Sequence, residues 1–377
     1  MEPSFRADAD PKQVGNVVHA PCPRCGAQLK FSAGTQQLSC EYCQHAEPID
    51  FTRNRLQENR LDFQLRGHEL PHAPTAEKQV FSCHNCGAQT TVGDDTPTIT
   101  CAFCGSKNVN PDAHKTRLIE PAGVMPFFVP RERVQQQFKA WVGSYWLAPS
   151  SLKSGAALDN LHGLYMPYWT FDAQATSEWA GDAGYYYYVT VEGRDAKGNR
   201  VTRQEQRTRW EHHRGTHQAF YDDLLIMASS KLSMAEHHVA QASRYELQAV
   251  VDYDPRLLLG WEAEVYSIDL AASAHKVESI IGQREEEACS EELGGDTQRG
   301  LQVDTVLTEQ TFKHLLLPLW ICTYQYRGKL YRFLVNGQTG EVAGERPVSW
   351  VKVALLVLLA VLLLAAFAYW QSQPTRH

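Results

Sequence analysis

Eight cysteines carry the plainest chemistry in the chain. Cys22, Cys25, Cys40 and Cys43 form a C-x2-C-x14-C-x2-C set, and Cys83, Cys86, Cys101 and Cys104 repeat it 61 residues later. Each set supplies four soft thiolates, the full shell of a tetrahedral zinc ion at about 2.3 Å from each sulfur. In an oxidising compartment the pattern would read as a disulfide framework; without a secretory signal it reads as zinc. Four thiolates leave no open coordination position, so two structural zinc ions are expected and no catalytic metal. Gly26, Gly87 and Gly105 follow the second cysteine of three knuckles, where the chain must turn. Gln44 takes that place in the fourth, a departure expected to cost little. The ligand hairpins are expected to pair residues 28–31 with 36–39, and 89–92 with 98–100.

These ligands need scaffolds, and the chain divides accordingly. Residues 1–17 read as a flexible tail, 18–50 as zinc ribbon 1, and 51–79 as a linker. Leu56, Leu61, Phe63 and Leu65 suggest a short helix in that linker, broken by Pro71 and Pro74. Residues 80–115 are zinc ribbon 2 and 116–347 a β-rich α+β domain. In that domain Pro130 is placed at the first position of a helix, followed by Val134, Phe138, Trp141, Val142 and Tyr145 at helical spacing. Residues 165–188 are aromatic-rich and strand-like. Residues 185–192 and 200–209 read as hairpin arms around a turn at 193–199, with further strand at 210–227. A long helix is predicted over 267–293, and strand over 315–335 with a turn at Arg327-Gly328-Lys329. Residues 336–340 read as a second turn.

A weaker repeat lies inside this domain. His162-Gly163-Leu164-Tyr165-Met166-Pro167-Tyr168-Trp169 resembles His314-Leu315-Leu316-Leu317-Pro318-Leu319-Trp320. Two related β-units and chance similarity of aromatic strands both account for it. Each proline is expected at a strand start or on an edge, because it lacks a ladder donor.

The rest of the chain hangs from residues 348–371. Val353 to Trp370 is an uncharged run of 18 residues, about 27 Å as a helix. Trp350 at one end, and Tyr369 and Trp370 at the other, suit the membrane interface, and Lys352 is placed to snorkel. A transmembrane helix is expected, with residues 372–377 as a short tail. Arg346 and Lys352 before the span, only Arg376 after it, and the thiolate requirement all favour a tail-anchored topology with a cytoplasmic body.

Other chemistry is thin. His212, His213, His217, His237, His238 and His275 have no carboxylate or cysteine at ligand spacing and read as solvated or hydrogen-bonded side chains. Asp222-Asp223 is read as turn or edge chemistry, since adjacent strand residues diverge unless a bulge intervenes. Cys289 and Cys322 read as small buried apolar groups. The sequence holds no G-x-x-x-x-G-K-[ST], G-x-S-x-G or H-E-x-x-H run, which excludes a P-loop motor. Residues 1–115 carry 11 Lys and Arg against 13 Asp and Glu, so a phosphate-binding footprint is missing there. Phe31 and Phe103 are placed either to stack on bases or to fill a small ribbon's core.

Four stretches carry a family resemblance: Cys22-Pro23-Arg24-Cys25-Gly26-Ala27-Gln28-Leu29, residues 165–172, Leu316-Leu317-Pro318-Leu319-Trp320, and residues 335–342. The chain resembles bacterial membrane proteins with paired N-terminal TFIIB-type zinc ribbons and a C-terminal span, often labelled primosomal-helicase-like. The resemblance implies the bacterial inner membrane, and partners of the flotillin-like (SPFH) or phage-shock type. The expected fold is α+β: two rubredoxin-like ribbons, an antiparallel-sheet domain and one transmembrane helix. The expected function is a non-enzymatic membrane-tethered adaptor that recruits protein partners. The alternative is a membrane-associated nucleic-acid-binding protein, and a third reading is a hydrolase built on the histidine-rich sheet.

Overall fold

The computed structural model describes residues 13–14, 17–18, 20–51, 56–61, 74–91, 98–109, 114–149, 160–194, 196, 199–232, 245–345 and 347–372. His237, His238 and parts of the expected tail, linker and 193–199 turn lie outside the described residues.

The strands in chain order begin with β1 (Gln13–Val14) and β2 (Val17–Val18). The first cysteine set holds β3 (Lys30–Ser32), β4 (Gln37–Ser39) and β5 (Ala46–Pro48). Then come β6 (Asn59–Arg60), β7 (Thr75–Ser82), β8 (Gln89–Thr91), β9 (Thr98–Thr100), β10 (Lys107–Val109) and β11 (His114–Ile119). β12 (Gly123–Val124) leads through α1 (Arg131–Gly143) to β13 (Leu161–Arg194) and β14 (Arg200–Met227). β15 (Val251–Asp252) precedes β16 (Glu262–Glu264), α2 (Leu270–Leu293), β17 (Thr297–Tyr326), β18 (Lys329–Asn336) and β19 (Val342–Gly344). The terminal helix α3 spans Trp350–Ser372. The class is mixed α+β with antiparallel sheet; one 12-stranded sheet dominates.

The weak sequence repeat is a physical one. β13 and β17 pair antiparallel, with Met166 opposite Leu317 at the centre. About that point two β-α-β-β units are arranged as a local pseudo-dyad. Leu164 and Tyr165 pair in parallel with β16, while Leu315 and Leu316 pair in parallel with β12. The indole of Trp169 donates to Ile268 O and sits 5.2 Å from the Tyr266 ring. Its counterpart Trp320 donates to Val129 O and sits 5.3 Å from Phe127. The two prolines are not at strand starts: Pro167 and Pro318 lie inside β13 and β17. Each stands one residue before the first pair its strand makes with the outer strand, Tyr168 with Met227 and Leu319 with Asn336. The missing N–H therefore falls before the outer ladder begins.

The first expectations for strand extent fall short. β13 runs 34 residues and β17 starts at Thr297, well before Leu315. Strands in globular proteins usually span 3–10 residues. The extra length survives because α2 covers one face of it: Trp169, Phe171, Ala173 and Ala175 pack on Leu270, Ala274, Val277 and Ile281. Asp269 caps α2 by accepting from Ala272 N at 2.8 Å, and Gly294 at φ +68° ends it. In α1 the buried stripe is Val134, Phe138 and Val142, but Pro130 is the N-cap and not the first helical residue. Of the expected linker, residues 51, 56–61 and 74–79 are described; 56–61 are extended, with β6 paired to β17, where a short helix was expected nearby, and β7 already begins at Thr75.

Both cysteine regions dock on this body. Ribbon 1 contributes Leu29, Phe31, Leu38 and Ile49 to a core shared with α1, Tyr165 and Trp320. Ribbon 2 contributes Ala88, Ala102 and Phe103 to a core with Leu164, Met166, Leu319 and Ile321. Neighbouring strand residues point to opposite faces, so the ribbons occupy opposite faces of the sheet.

Helix α3 is of membrane length: 19 residues, Trp350–Ala368, have a mean hydropathy of 2.8, and none of that window is buried against the body. Its root is tied down rather than free. Ser349 N donates to Leu147 O, and Lys352 Nζ, expected to snorkel, donates to Trp146 O and Ala148 O at 2.7 and 2.6 Å.

Candidate metal centres

The knuckles are built by the backbone first. Gly26, Gln44, Gly87 and Gly105 all take positive φ, between +56° and +77°. Each donates its N–H back to the first cysteine's carbonyl, at Cys22, Cys40, Cys83 and Cys101 respectively. The turn brings each C-x2-C pair of sulfurs to the same side. Gln44 adopts the left-handed conformation that the glycines adopt freely, against a steric cost of about 1 kcal/mol.

The four sulfurs of each set converge to within 4.8 Å of one another, and all ten cysteines are free of disulfides. Cys22 and Cys43 lie 3.5 Å apart, Cys25 and Cys40 3.4 Å, Cys83 and Cys104 3.7 Å, and Cys86 and Cys101 3.6 Å. A tetrahedron with bonds of about 2.3 Å has edges of about 3.8 Å. The sets thus match zinc to within a few tenths of an ångström. They fit two structural zinc ions, whose four coordination positions the protein would fill in each case.

The electrostatics follow one pattern at both sites, with two thiols raised and one lowered. Backbone N–H groups, that of Cys43 foremost, pull the Cys40 thiol down to about 6. Burial pushes Cys86 up to about 11 and raises Cys101 as well. In both ribbons a bound metal would hold the raised thiols deprotonated. Ser106, marked by no motif or spacing, places its Oγ 3.0 Å from Cys104 Sγ and 3.4 Å from Cys83 Sγ. It supplies an outer-shell hydrogen bond to the thiolates.

The expected ligand hairpin is right for ribbon 1, where β3 pairs with β4. It is wrong for ribbon 2: β8 pairs with β7 and β16, and β9 pairs with β10. The spacing is the same in both, but β8 has a large sheet edge to join. Phe31 and Phe103 are 3% and 1% exposed, so neither is available to stack on a base.

The remaining candidates separate. His212 contacts Asp182 at 2.9 Å, His217 contacts Glu292 at 2.7 Å, and His275 contacts Glu278 at 3.1 Å. His213 lies 3.8 Å from Glu211. None of these four joins a metal-binding group among the described residues. Cys289 and Cys322 are fully buried.

Asp222-Asp223 does converge, against expectation, because the register slips between Phe171 and Ala173 and Asp223 takes φ +48°. Asp172, Asp222 and Asp223 bring their oxygens within 4.8 Å. A lysine already serves them: Lys313 Nζ lies 2.8 Å from Asp223, 3.8 Å from Asp172 and 3.4 Å from Glu58. This ion cluster, buried at Asp172 and Lys313 and open to water at Asp222, closes the sheet at its bulge. A lysine at the start of the apolar run 315–317 was the one sequence signal for it.

No family model matches the chain, and no solved structure matches it. It is 25% identical over 343 residues to the uncharacterized protein YdjG of Bacillus subtilis (strain 168), a stretch that covers 90% of this chain and 92% of that one.

Proposed function

We propose that the protein is a non-enzymatic adaptor, held by α3 in a membrane with its body on the cytoplasmic side, that recruits a protein partner through its ribbon surface. The observation that carries this reading is Tyr42. It stands between Cys40 and Cys43 on a metal-braced knuckle and is 83% exposed. A large aromatic on a rigid mount loses little entropy on binding and is the usual kind of interface anchor. Closed four-thiolate centres offer rigidity and no substrate position. Thiolates also require a reducing compartment, which supports a cytoplasmic body. The family resemblance makes flotillin-like and phage-shock proteins the first partners to test.

A photo-crosslinking residue at position 42, in cells, tests it. It should capture a protein, and Tyr42→Ala should lose that partner while keeping two zinc ions and membrane attachment. Capture of nucleic acid instead, or unchanged partner recovery by Tyr42→Ala, would reject the reading.

A further inference from the structure

The long hairpin carries two zones of opposite charge on one face. β17 reaches only to Thr297, opposite Gly184, and α2 ends at Leu293. Beyond them residues 185–194 and 200–209 continue as two strands alone. Directly opposed residues share a face. The α2-bearing face therefore continues as Tyr185 beside Arg209, Tyr187 beside Arg207, Val189 beside Glu205, and Val191 beside Arg203. Three arginines and four apolar or aromatic side chains share this face with one glutamate. Arg207 lies 3.8 Å from Glu205 and Arg209 3.0 Å from Glu211 at the foot of the ribbon, exposed pairs that water screens, and the zone keeps a net positive charge. A ribbon of two strands has no core of its own and is marginal in water without a covering surface.

The acidic zone lies immediately behind it. The last turns of α2 carry Glu286, Glu287, Glu291 and Glu292, with no basic residue in the final turn. Helix C-termini bear partial negative charge, so glutamates there are unfavourable unless a cation approaches. Glu292 is engaged by His217 and by the Trp179 indole. Glu286 and Glu287 are exposed, line a groove of about 470 Å³ with Gln298 and Arg299, and make no ion pair among the described residues.

We infer that this face pairs with the same face of a second copy of the chain, arms antiparallel, so that each basic ribbon covers the acidic end of the other's α2. Shape and charge agree. The arm is two layers thick where α2 lies on it and one layer thick at the ribbon, so two antiparallel copies fit step into step. A ribbon of ten residues presents roughly 33 by 10 Å, and two such contacts cover about 650 Å² of each copy, near the size of a standard interface. A phosphate backbone fits less well, because the same face carries Glu286 and Glu287. For copies in one membrane the dyad stands normal to the bilayer, so the arms run along the membrane. Tethering raises the effective concentration of each copy for the other.

The full chain in lipid nanodiscs or detergent tests this by mass. Wild type should contain two chains. R203E/R207E and E286K/E287K should each contain one, and an equal mixture should return to two. All four side chains are exposed, so zinc content and circular dichroism should stay at wild-type values. Should a variant fail to fold, salt applies the same test to wild type, whose mass should halve at about 1 M NaCl. A wild type of one chain, a mass unmoved by both reversals and by salt, or folded variants that fail to reassociate when mixed would overturn the proposal. So would salt-sensitive binding of a DNA oligonucleotide that E286K/E287K tightens without any change in mass.

Discussion

The two ribbons share one ligand spacing and differ in how they join the body. Ribbon 1 keeps its own three-stranded sheet, β3-β4-β5, and meets the body through side chains and a few bonds. Phe31 N donates to Leu259 O, and the Trp261 indole donates to Phe31 O. Ribbon 2 has given β8 to the central sheet, where it bonds to β16 and through it to β13, while β9 and β10 pair with each other. Its second knuckle is gripped from the body as well: Thr323 Oγ1 donates to Ala102 O and Arg332 Nε to Phe103 O. A metal site of fixed spacing can thus be either an appendage or a structural corner. Which it becomes depends on whether a free sheet edge lies within reach.

The largest expected effect breaks ribbon 2. Wild type should hold two zinc ions per chain by metal analysis. Cys101→Ser should lose one and destabilise the body with it, by more than about 5 kcal/mol, because structural zinc contributes about 10–16 kcal/mol to folding in small domains. Cooperative loss of the near-ultraviolet dichroism of Trp169 and Trp320 would show it; an intact signal would contradict the corner role. Cys40→Ser should also lose one zinc but leave the sheet folded, with exposure confined to residues 20–51 in hydrogen exchange. Equal global unfolding by both variants would erase the comparison.

A pH experiment separates the metal sites from the body. His314 is fully enclosed beside Trp169 and donates Nδ1–H to Ile119 O at 3.0 Å; burial pushes it down to about 4. Its folded value lies below the unfolded value of about 6.5, so the neutral form is the one that folds. Stability is then complete above pH 6.5 and falls as the pH drops from 6.5 to 4, by about 3 kcal/mol. His314→Asn should flatten that part of the denaturation profile while zinc release at low pH stays where it was. A profile unchanged by the substitution would assign the whole acid response to the thiolates.

The smallest effect sharpens ribbon 1 alone. Gln44→Gly puts the residue of the other three knuckles at φ +56° and should stabilise by about 0.5 kcal/mol, the relief of left-handed strain less the added unfolded-state entropy. A small rise in the melting temperature would be seen; a fall would mean that the Gln44 side chain contributes more than its backbone costs.

The ligand sets, the two zinc ions and the membrane-length helix were legible from the chain itself, because each depends on local spacing or on a single long run of residue type. Helix α2 was legible for the same reason, within three residues at its start. The repeat around Pro167 and Pro318 was visible but undecided, since its meaning lies in the pairing of Met166 with Leu317. What tertiary structure alone decided is non-local. The part of β13 from Trp169 to Ala183 is supported by α2, from about a hundred residues later, which covers one of its faces. The bulge that gathers Asp172, Asp222 and Asp223 about Lys313 is a matter of register between β13, β14 and β17. The separate fates of two ribbons with identical spacing were set by which sheet edge each one met, and a ligand pattern carries no information about a distant edge.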